Sequence, residues 1–292
     1  MAELTWTEST DDIRALLISV RAVDGRPDVH ADGPLPREFR GGEHLMATDN
    51  GVVVGYAHLD TGGDAFGRQV AEVFVAPDAR RRGIGTALVE AVLDRAADGV
   101  RVWAHGDHPG AAAIAARFGL GKVRELLKMH STLGELPEPV WRDGVRVRTF
   151  VPGQDEAAFV AVNHRAFDWH PEQGALTVAD VEATETEPWF DPAGFFLAVD
   201  ADDTLLGFHW TKVHPGDIGE VYVVGVDPAA QGGGLGKALT LVGLEHLRAL
   251  GLPEVILYVE SDNAPAVAVY TRLGFSVAQA DVQYSFLDTP RA

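Results

Sequence analysis

The sequence predicts two α/β domains in tandem, and three observations support this fold class. The chain has 292 residues, about twice the typical length of a domain of roughly 150 residues. Its second half repeats the pattern of apolar runs and glycines found in the first half. A segment rich in Pro, Gly and Glu, 133–144, interrupts the pattern between the halves, as a linker does. We therefore predict domains at 1–138 and 139–292.

Each half contains a strand, a turn, a glycine-rich loop and a helix in that order. In the first half the apolar strand Val70–Val75 precedes the loop Arg80–Gly85. In the second half the strand Glu220–Val226 precedes the loop Gln231–Gly236. Leucine and valine recur at helical spacing after both loops, which predicts an amphipathic helix in each half.

The similarity between the halves extends to both sides of this unit. Upstream, hairpin-like segments cover 45–59 and 195–210, and a glycine, Gly55 or Gly207, begins the second strand of each. Downstream, each half has a further strand and then a helix that ends at a glycine. The strands cover 100–104 and 254–259, and the helices cover 111–119 and 264–274. Each half is therefore predicted to be one α/β domain.

Composition and charge exclude several classes of protein. With 46% hydrophobic and 23% charged residues, the chain can bury a core and is too apolar to be disordered. A net charge of −19 repels nucleic acid and anionic membranes and admits cationic ligands such as amines. Solubility alone is a commoner reason for an acidic surface. We expect no nucleic-acid and no membrane partner.

Cysteine is absent, which excludes disulfides, thiolate metal ligands and a cysteine nucleophile. The start of the chain, 1–12, lacks a basic segment and an apolar run, and no stretch approaches the roughly 20 apolar residues of a membrane span. We expect a cytoplasmic chain. Because two fused domains supply a cleft without a second copy, we expect a monomer.

The glycine loops have the features of anion sites. Backbone amides at a helix N-terminus attract an anion, usually phosphate, and glycine lets the backbone approach it closely. The spacing fits neither the Walker loop nor the dinucleotide-binding fingerprint. A tight strand-to-helix turn is the alternative. The first loop carries Arg80, Arg81 and Arg82, a solvated charge cluster or a phosphate clamp, whereas the second has no cation before Lys237.

Both loops follow Val-x-Pro and have the form Arg/Gln-x-x-Gly-x-Gly, which resembles the acetyl-CoA signature of GNAT-type N-acetyltransferases. The resemblance implies two GNAT domains, each with a mixed, mostly antiparallel sheet flanked by helices (α/β, or α+β). It implies acetyl-CoA as the acetyl donor and no metal. It also implies that a bulge splays the strand before each loop and frees backbone groups for the pantetheine arm. Gly225, inside an apolar strand, is consistent with such a bulge.

The second half also resembles the end of this signature, where Asn263 would cap a helix beside the cofactor. Tyr270, seven residues later, is the candidate general acid, because a phenol can protonate the departing thiolate. A structural tyrosine is the alternative. The first half has His108 and Ala115 at the matching positions, and alanine cannot donate a proton. We predict that the C-terminal domain is catalytic and the N-terminal domain degenerate, although that domain could still bind acetyl-CoA.

An amine must lose its proton before it attacks, so a base is needed near the splayed strand. Glu220 begins that strand and is the candidate base. The alternative is a solvated carboxylate at a strand end. His164, His170, His209 and His214 have no metal-like spacing, so we expect core or pocket side chains and no metal.

Nearly the whole chain resembles the mycothiol synthase family of tandem GNAT enzymes, most closely in 207–215, 219–228 and 257–263. The resemblance implies acetylation of the cysteinyl amine of cysteinyl-glucosaminyl-inositol, with Glu220 as base and substrate contact and Tyr270 as acid. It implies further substrate contacts at Asp32, Glu172, Lys212 and Tyr258. A tandem GNAT acting on another amine and a non-catalytic acetyl-CoA sensor are the alternatives.

The resemblance also implies which residues bind acetyl-CoA. In the first half they are Val73, Phe74, Val75, Arg81, Arg82, Gly83, Ile84, Gly85 and Thr86. In the second half they are Val224, Gly225, Val226, Gln231, Gly232, Gly233, Gly234, Leu235, Gly236, Lys237, Asn263, Ala264, Pro265, Ala266, Val267 and Ala268.

Overall fold

The computed structural model describes residues 2–8, 10, 12–27, 29, 31, 35–36 and 39–287. The chain forms two compact units, a first unit of 1–126 with 279–292 and a second unit of 127–278. The predicted division at 138/139 differs from these units for two reasons. Leu127, Leu133 and Leu136 pack against the core of the second unit. The last strand pairs with a strand of the first unit, as in the antiparallel pair Gln283 and Trp103.

The first unit has a sheet ordered β1-β2-β3-β4-β5-β12-β6. Its β1 to β4 are antiparallel neighbours, β4 and β5 run parallel, and β12 is antiparallel to β5. Its elements are β1 (Glu3–Thr7), α1 (Ile13–Asp24), β2 (Glu43–Asp49), β3 (Val52–Asp60), β4 (Val70–Val75), α2 (Ile84–Arg95), β5 (Arg101–Ala104), α3 (Pro109–Arg117), the first part of β6 (Leu120–Thr132) and most of β12 (Ser276–Phe286).

The second unit has a sheet ordered β6-β11-β10-β9-β8-β7. Strands β7 to β10 are antiparallel neighbours, and β10 runs parallel to β11. Its elements are the rest of β6, β7 (Arg146–Thr149), α4 (Glu156–Ala166), α5 (Val178–Glu185), β8 (Phe195–Val199), β9 (Leu205–His214), β10 (Ile218–Val226), α6 (Leu235–Ala249), β11 (Glu254–Glu260) and α7 (Ala264–Arg272).

The sheet of the second unit is buried on both faces. On one face, Phe159 of α4 packs with Phe208, Trp210 and Val223. On the other face, Leu244 and other leucines of α6 pack with residues of β10 and β11. We call these the α4 face and the α6 face. Two covered faces explain the nearly continuous apolar runs of these strands.

Gly55 and Gly207 lie inside the second strand of their hairpins and do not begin it, contrary to the prediction. A Cβ on Gly55 would lie 2.8 Å from Ile84 of α2. A Cβ on Gly207 would lie 2.7 Å from the carbonyl oxygen of Gly225 and 3.0 Å from Leu239 of α6. The glycines therefore allow the helix after each loop, and in the second unit also a neighbouring strand, to approach closely.

The predicted fold class is confirmed, because each unit has a mixed, mostly antiparallel sheet flanked by helices. Among the described residues, no helix has the length and apolar character needed to cross a membrane.

Candidate active site

The glycine loop of the second unit leads directly into α6. Gly232, Gly233 and Gly234 have φ of 87°, 59° and 81°, a left-handed conformation that glycine adopts at little cost. Gly234 occupies the N-cap position, and no side chain caps the helix. The amides of the first turn are therefore left for another acceptor, which suits a phosphate at this end of the helix.

Strand β10 diverges from β11 beside this loop. The two strands pair only from Ile218 to Val221, whereas β10 continues to Val226 beside β9. Among the described residues, Val224–Val226 has no strand partner on the β11 side. This splayed edge leaves backbone groups that can bond to an extended, amide-bearing ligand.

The bulge in β10 lies at Tyr222 and not at Gly225. The register with β9 shifts between Val221 and Val223. Gly225 has a different reason to be glycine, because a Cβ there would lie 2.5 Å from the ring of Phe208. The prediction of a bulge in this strand is right, but its position was wrong.

The bulge changes which side chains of β10 share a face. Val221 packs on the α6 face and Val223 on the α4 face, although residues two apart in a regular strand point the same way. Tyr222 lies against Trp189 and Trp210, with ring centroids 5.1 and 5.3 Å away. The extra residue thus places an aromatic ring on the α4 face.

Three of the predicted substrate residues also share the α4 face. Lys212 stands directly opposite Glu220 across β9 and β10, and it lies two residues after Trp210 of the α4-face core. On β11, Val255, Leu257 and Val259 pack on the α6 face. Strand alternation therefore places Tyr258 on the α4 face with Lys212 and Glu220.

Charged groups on this face have definite partners. The ammonium of Lys212 lies 4.7 Å from the ring centre of Trp189 and 5.5 Å from that of Tyr222. Glu220 is buried, and its Oε2 lies 2.5 Å from Nε2 of His214. The carboxylate predicted to be the base is thus bonded to a histidine and not to the lysine opposite it.

The fourth predicted substrate residue, Glu172, is linked to β11 through His170. Nδ1 of His170 lies 3.2 Å from Glu172, and Nε2 lies 3.9 Å from the buried carboxylate of Glu260. The sequence analysis missed Glu260 as a site residue. Strand alternation could have found it, because Glu260 lies two residues after Tyr258.

Helix α7 has the features predicted for the acid side of the site. Oδ1 of Asn263 accepts the backbone N–H of Ala266 at 3.3 Å, which caps the helix as expected. Tyr270 is half-buried, with its ring centroid 5.8 Å from that of Phe275. Burial raises the pKa of Tyr270 to about 12, because a low-dielectric environment disfavours the phenolate. The phenol is therefore protonated at neutral pH and can act as a donor.

The remaining cofactor-binding predictions for this unit fall on the loop and on α7. Lys237 is exposed in the first turn of α6, and Ala264–Ala268 forms the start of α7. A cation missed by the sequence analysis also contacts the loop: a Cβ on Gly233 would lie 2.7 Å from Arg142, whose guanidinium donates to the carbonyl of Ala230. No local motif signals Arg142, which is about 90 residues from the loop.

The first unit contains a cavity of about 430 Å³ beside its glycine loop. Eight of its nine predicted cofactor residues line this cavity: Val73, Phe74, Val75, Arg81, Gly83, Ile84, Gly85 and Thr86. The ninth, Arg82, pairs with Asp49 at 2.5 Å, and Arg80 pairs with Asp24. Two of the three arginines are therefore held by carboxylates of the protein.

One feature of the strand before the first loop differs from the expectations. Strand β4 keeps a continuous register with β3, so the bulge predicted before the first loop is absent. The splay is present, because β4 pairs with β5 only from Val70 to Glu72. At the position that matches Tyr270, Ala115 is buried in the cavity wall.

A largely buried histidine with two carboxylate partners lies on the wall of this cavity. His105 is 2.7 Å from Glu72 and 3.0 Å from Asp281 on β12. Burial alone would lower the pKa of His105, but Glu72 and Asp281 raise it to about 9. The imidazole is therefore a cation at neutral pH.

The other predictions have simple outcomes. Asp32, proposed as a substrate contact, lies outside the described residues. His209 is fully buried, and burial lowers its pKa to about 4, as for a neutral core side chain. Among the described residues, no group of three or more His, Asp or Glu side chains could hold a metal ion.

Comparison with known proteins identifies the class of this fold and site. The model of the acetyltransferase (GNAT) family matches residues 13–119 and 162–275. The chain belongs to the GNAT family and is an acyltransferase.

Relatives and one solved structure extend this result. The chain is 58% identical to the mycothiol acetyltransferase of Saccharomonospora viridis, over 98% of this chain and 99% of the relative. It is 60% identical to that of Amycolatopsis mediterranei, over 95% of each. A tandem GNAT protein from the clavulanic acid biosynthesis pathway superposes with a TM-score of 0.71 at 20% identity, over 97% of this chain and 98% of that protein. That likeness concerns the fold alone.

Proposed function

We propose that this chain transfers the acetyl group of acetyl-CoA to the cysteinyl amine of cysteinyl-glucosaminyl-inositol, the last step of mycothiol biosynthesis. The observation that supports this substrate assignment is the sequence identity to mycothiol acetyltransferases. It is 58–60% over nearly the full length of both chains. The α4 face of the second unit supports a cationic, hydroxyl-rich acceptor. Its carboxylates suit an ammonium, and Lys212 and Tyr258 suit sugar hydroxyls.

The second unit is the proposed catalytic half. When bound, acetyl-CoA supplies the acetyl group as a thioester, and coenzyme A leaves as the thiol. The pyrophosphate would bind to the loop Gln231–Lys237, and the pantetheine arm would bind along Val224–Val226. The adjoining residues Asn263–Ala268 at the start of α7 complete the site. Left-handed glycines, an uncapped helix and a splayed strand edge support this assignment.

Glu220 and Tyr270 are the proposed base and acid. Glu220 removes a proton from the acceptor ammonium, because only the free amine can attack a thioester. Its burial on the same face as Lys212 and Tyr258 supports this role. Tyr270 donates its phenolic proton to the departing sulfur. Its pKa of about 12 means that the phenol is protonated at neutral pH before this step.

Glu172, Lys212, Glu220 and Tyr258 are the proposed acceptor contacts, with Asp32 as an additional one. The first unit is proposed to bind acetyl-CoA without catalysis, because its cavity is lined by the matching loop while Ala115 replaces the acid. Because one chain contains both units, the site needs no second copy of the chain. Because the sequence has no cysteine, folding needs no oxidising compartment. The proposal therefore includes a cytoplasmic monomer.

Coenzyme A release by the purified protein tests the substrate. The acceptor cysteinyl-glucosaminyl-inositol is compared with cysteine, glucosamine and a peptide with a free amino terminus. A kcat/KM at least 100-fold higher for the first acceptor is expected, because a smaller acceptor leaves buried polar groups of the site unpaired. Equal turnover of another amine would retain the chemistry and reject the substrate.

A further inference from the structure

The carboxylate of Glu220 is bonded to one side chain in the described part of the chain, the imidazole of His214. Nε2 of His214 lies 2.5 Å from Oε2 of Glu220. Both side chains are largely buried, with exposures of 17% for His214 and 8% for Glu220. A short, buried hydrogen bond to a carboxylate is among the stronger ones in proteins. The contact therefore fixes one of the two carboxylate oxygens.

Strand geometry shows that this pairing is selective. Lys212 stands directly opposite Glu220 in the register, whereas His214 is a diagonal neighbour. Directly opposite charges on two strands normally attract each other. Here the ammonium of Lys212 instead lies over the rings of Trp189 and Tyr222, the second of which is at the bulge. The bulge thus places a ring under the ammonium of Lys212, and the diagonal histidine bonds to Glu220.

The second oxygen of the same carboxylate remains available. Oε1 of Glu220 has no hydrogen-bond partner among the described residues, although Oε2 is bonded to His214. A carboxylate held at one oxygen can present the other in a fixed direction, which is what proton transfer from a bound ammonium requires. A carboxylate without that bond would rotate and could turn to Lys212.

We propose that His214 is a positioning residue that holds Glu220 in the orientation needed to accept a proton from the acceptor ammonium. This inference rests on the proposed function, in which Glu220 is the base. The ammonium proton passes to Oε1, the nitrogen keeps the electron pair of the broken N–H bond, and Glu220 becomes a neutral carboxylic acid. That acid returns its proton to solvent after acetyl transfer. The second proton that the nitrogen loses as the amide forms restores the phenol of Tyr270, which has given its own proton to the departing sulfur. The imidazole keeps its own protons throughout.

Two substitutions at His214 separate positioning from general structure. His214→Leu removes the hydrogen bond, and His214→Gln keeps an N–H donor at a similar distance from the backbone. We expect His214→Leu to lower kcat/KM for the amine about 30-fold, with the KM for acetyl-CoA changed less than twofold. His214→Gln should recover the rate to within about fivefold of the unmodified protein.

A second histidine in the same unit provides a matched control. His130 lies 3.5 Å from Glu254 on more exposed surface, so His130→Leu should leave kcat/KM within twofold of the unmodified protein. Equal losses in His130→Leu and His214→Leu, or a failure of His214→Gln to recover activity, would overturn the positioning role.

Combination with Glu220→Gln gives the decisive result. If His214 acts through Glu220, adding His214→Leu to Glu220→Gln lowers kcat/KM less than twofold further, because the carboxylate to be positioned is already absent. If the two losses multiply, His214 acts independently and the inference is overturned while the base assignment stands. If Glu220→Gln alone keeps the unmodified rate, the base assignment is overturned, and this inference with it.

Discussion

Each unit has a glycine loop after a splayed strand, and the units differ in the side chains around that loop. In the second unit, Glu220 lies on the α4 face of β10 and Tyr270 lies on α7. In the first unit, Ala115 occupies the position of the tyrosine. The bulge that places Tyr222 on the α4 face of β10 has no counterpart in β4. Under the proposed function, cofactor binding and catalysis are therefore separate properties of one scaffold.

The charged groups near the two strands also differ in what they can do. In the first unit His105 lies between two carboxylates, so each of these carboxylates already has a cationic partner within the protein. In the second unit Glu220 is bonded through one oxygen, Oε2, among the residues that the structure describes. A carboxylate with a free oxygen can accept a proton from a substrate, whereas the closed network of the first unit serves to hold its strands together.

The largest expected effect is that of Glu220→Gln in the second unit. Loss of the base should lower kcat/KM for the amine on the order of 100- to 1,000-fold. The loss should be greater at pH 6.5 than at pH 8.5, because less amine is free at the lower pH. Glu72→Gln, a carboxyl change on the corresponding strand of the first unit, is the control and should stay within twofold. A comparable loss in both variants would mean that catalysis is not confined to one unit.

Tyr270→Phe should have the next largest effect, a decrease of about 100-fold in kcat. The KM for acetyl-CoA should hardly change, because the ring and its packing against Phe275 remain. Tyr284→Phe, at a tyrosine that lines the cavity of the first unit, is the matched control. Steady-state kinetics of both variants provide the measurement. Full activity of Tyr270→Phe would show that Tyr270 is not the general acid.

The two helix-capping glycines allow a smaller, paired test. Gly83 and Gly234 have φ of 84° and 81°, and a Cβ would meet nothing within 4 Å at either. Alanine therefore adds backbone strain alone, on the order of 1 kcal/mol. Gly234→Ala should raise the KM for acetyl-CoA about fivefold. Gly83→Ala should leave steady-state turnover unchanged and weaken binding only at the first unit, as measured by calorimetric titration. If Gly83→Ala raised the KM for acetyl-CoA and Gly234→Ala did not, the first unit would be the catalytic one.

The smallest expected effect concerns stability and not turnover. Because the pKa of His105 is raised to about 9 in the folded protein, from about 6.5 in an unfolded chain, its contribution is fully present below pH 6.5. It is lost as the pH rises through 9, at a cost on the order of 3 kcal/mol. Urea unfolding should show this decrease between pH 7 and 9.5, and His105→Asn should lack it. The same pH dependence in His105→Asn would assign it to other groups.

The sequence was sufficient for the repeated elements and for the residue types of the site. Periodicity and glycine spacing predicted the strands beside both loops, and the Asn263 cap formed as expected. These features are local, because a cap, a turn or a strand depends on neighbours within a few residues. The contrast between Tyr270 and Ala115 is also visible by counting back from the glycine that ends each helix.

Features that depend on contacts between distant segments were missed or misplaced. The bulge lies at Tyr222, and no residue type marks that point. The contact of His214 is with a diagonal strand neighbour, and that of Arg142 is with a loop about 90 residues away in sequence. Most of the last strand, from Gln279 onwards, belongs to the first unit although it follows the second unit in sequence. An internal repeat does not reveal this.

The most direct test of the central claim, that one unit catalyses and the other only binds, uses the double variant Glu220→Gln with Tyr270→Phe. Coenzyme A release is measured with acetyl-CoA and cysteinyl-glucosaminyl-inositol, beside calorimetric titration of acetyl-CoA. The account predicts turnover at the uncatalysed background together with retained acetyl-CoA binding, because the loop, splayed strand and cavity of the first unit are unchanged. Turnover above about a tenth of the unmodified rate would contradict it, because losing both acid and base should cost at least 100-fold.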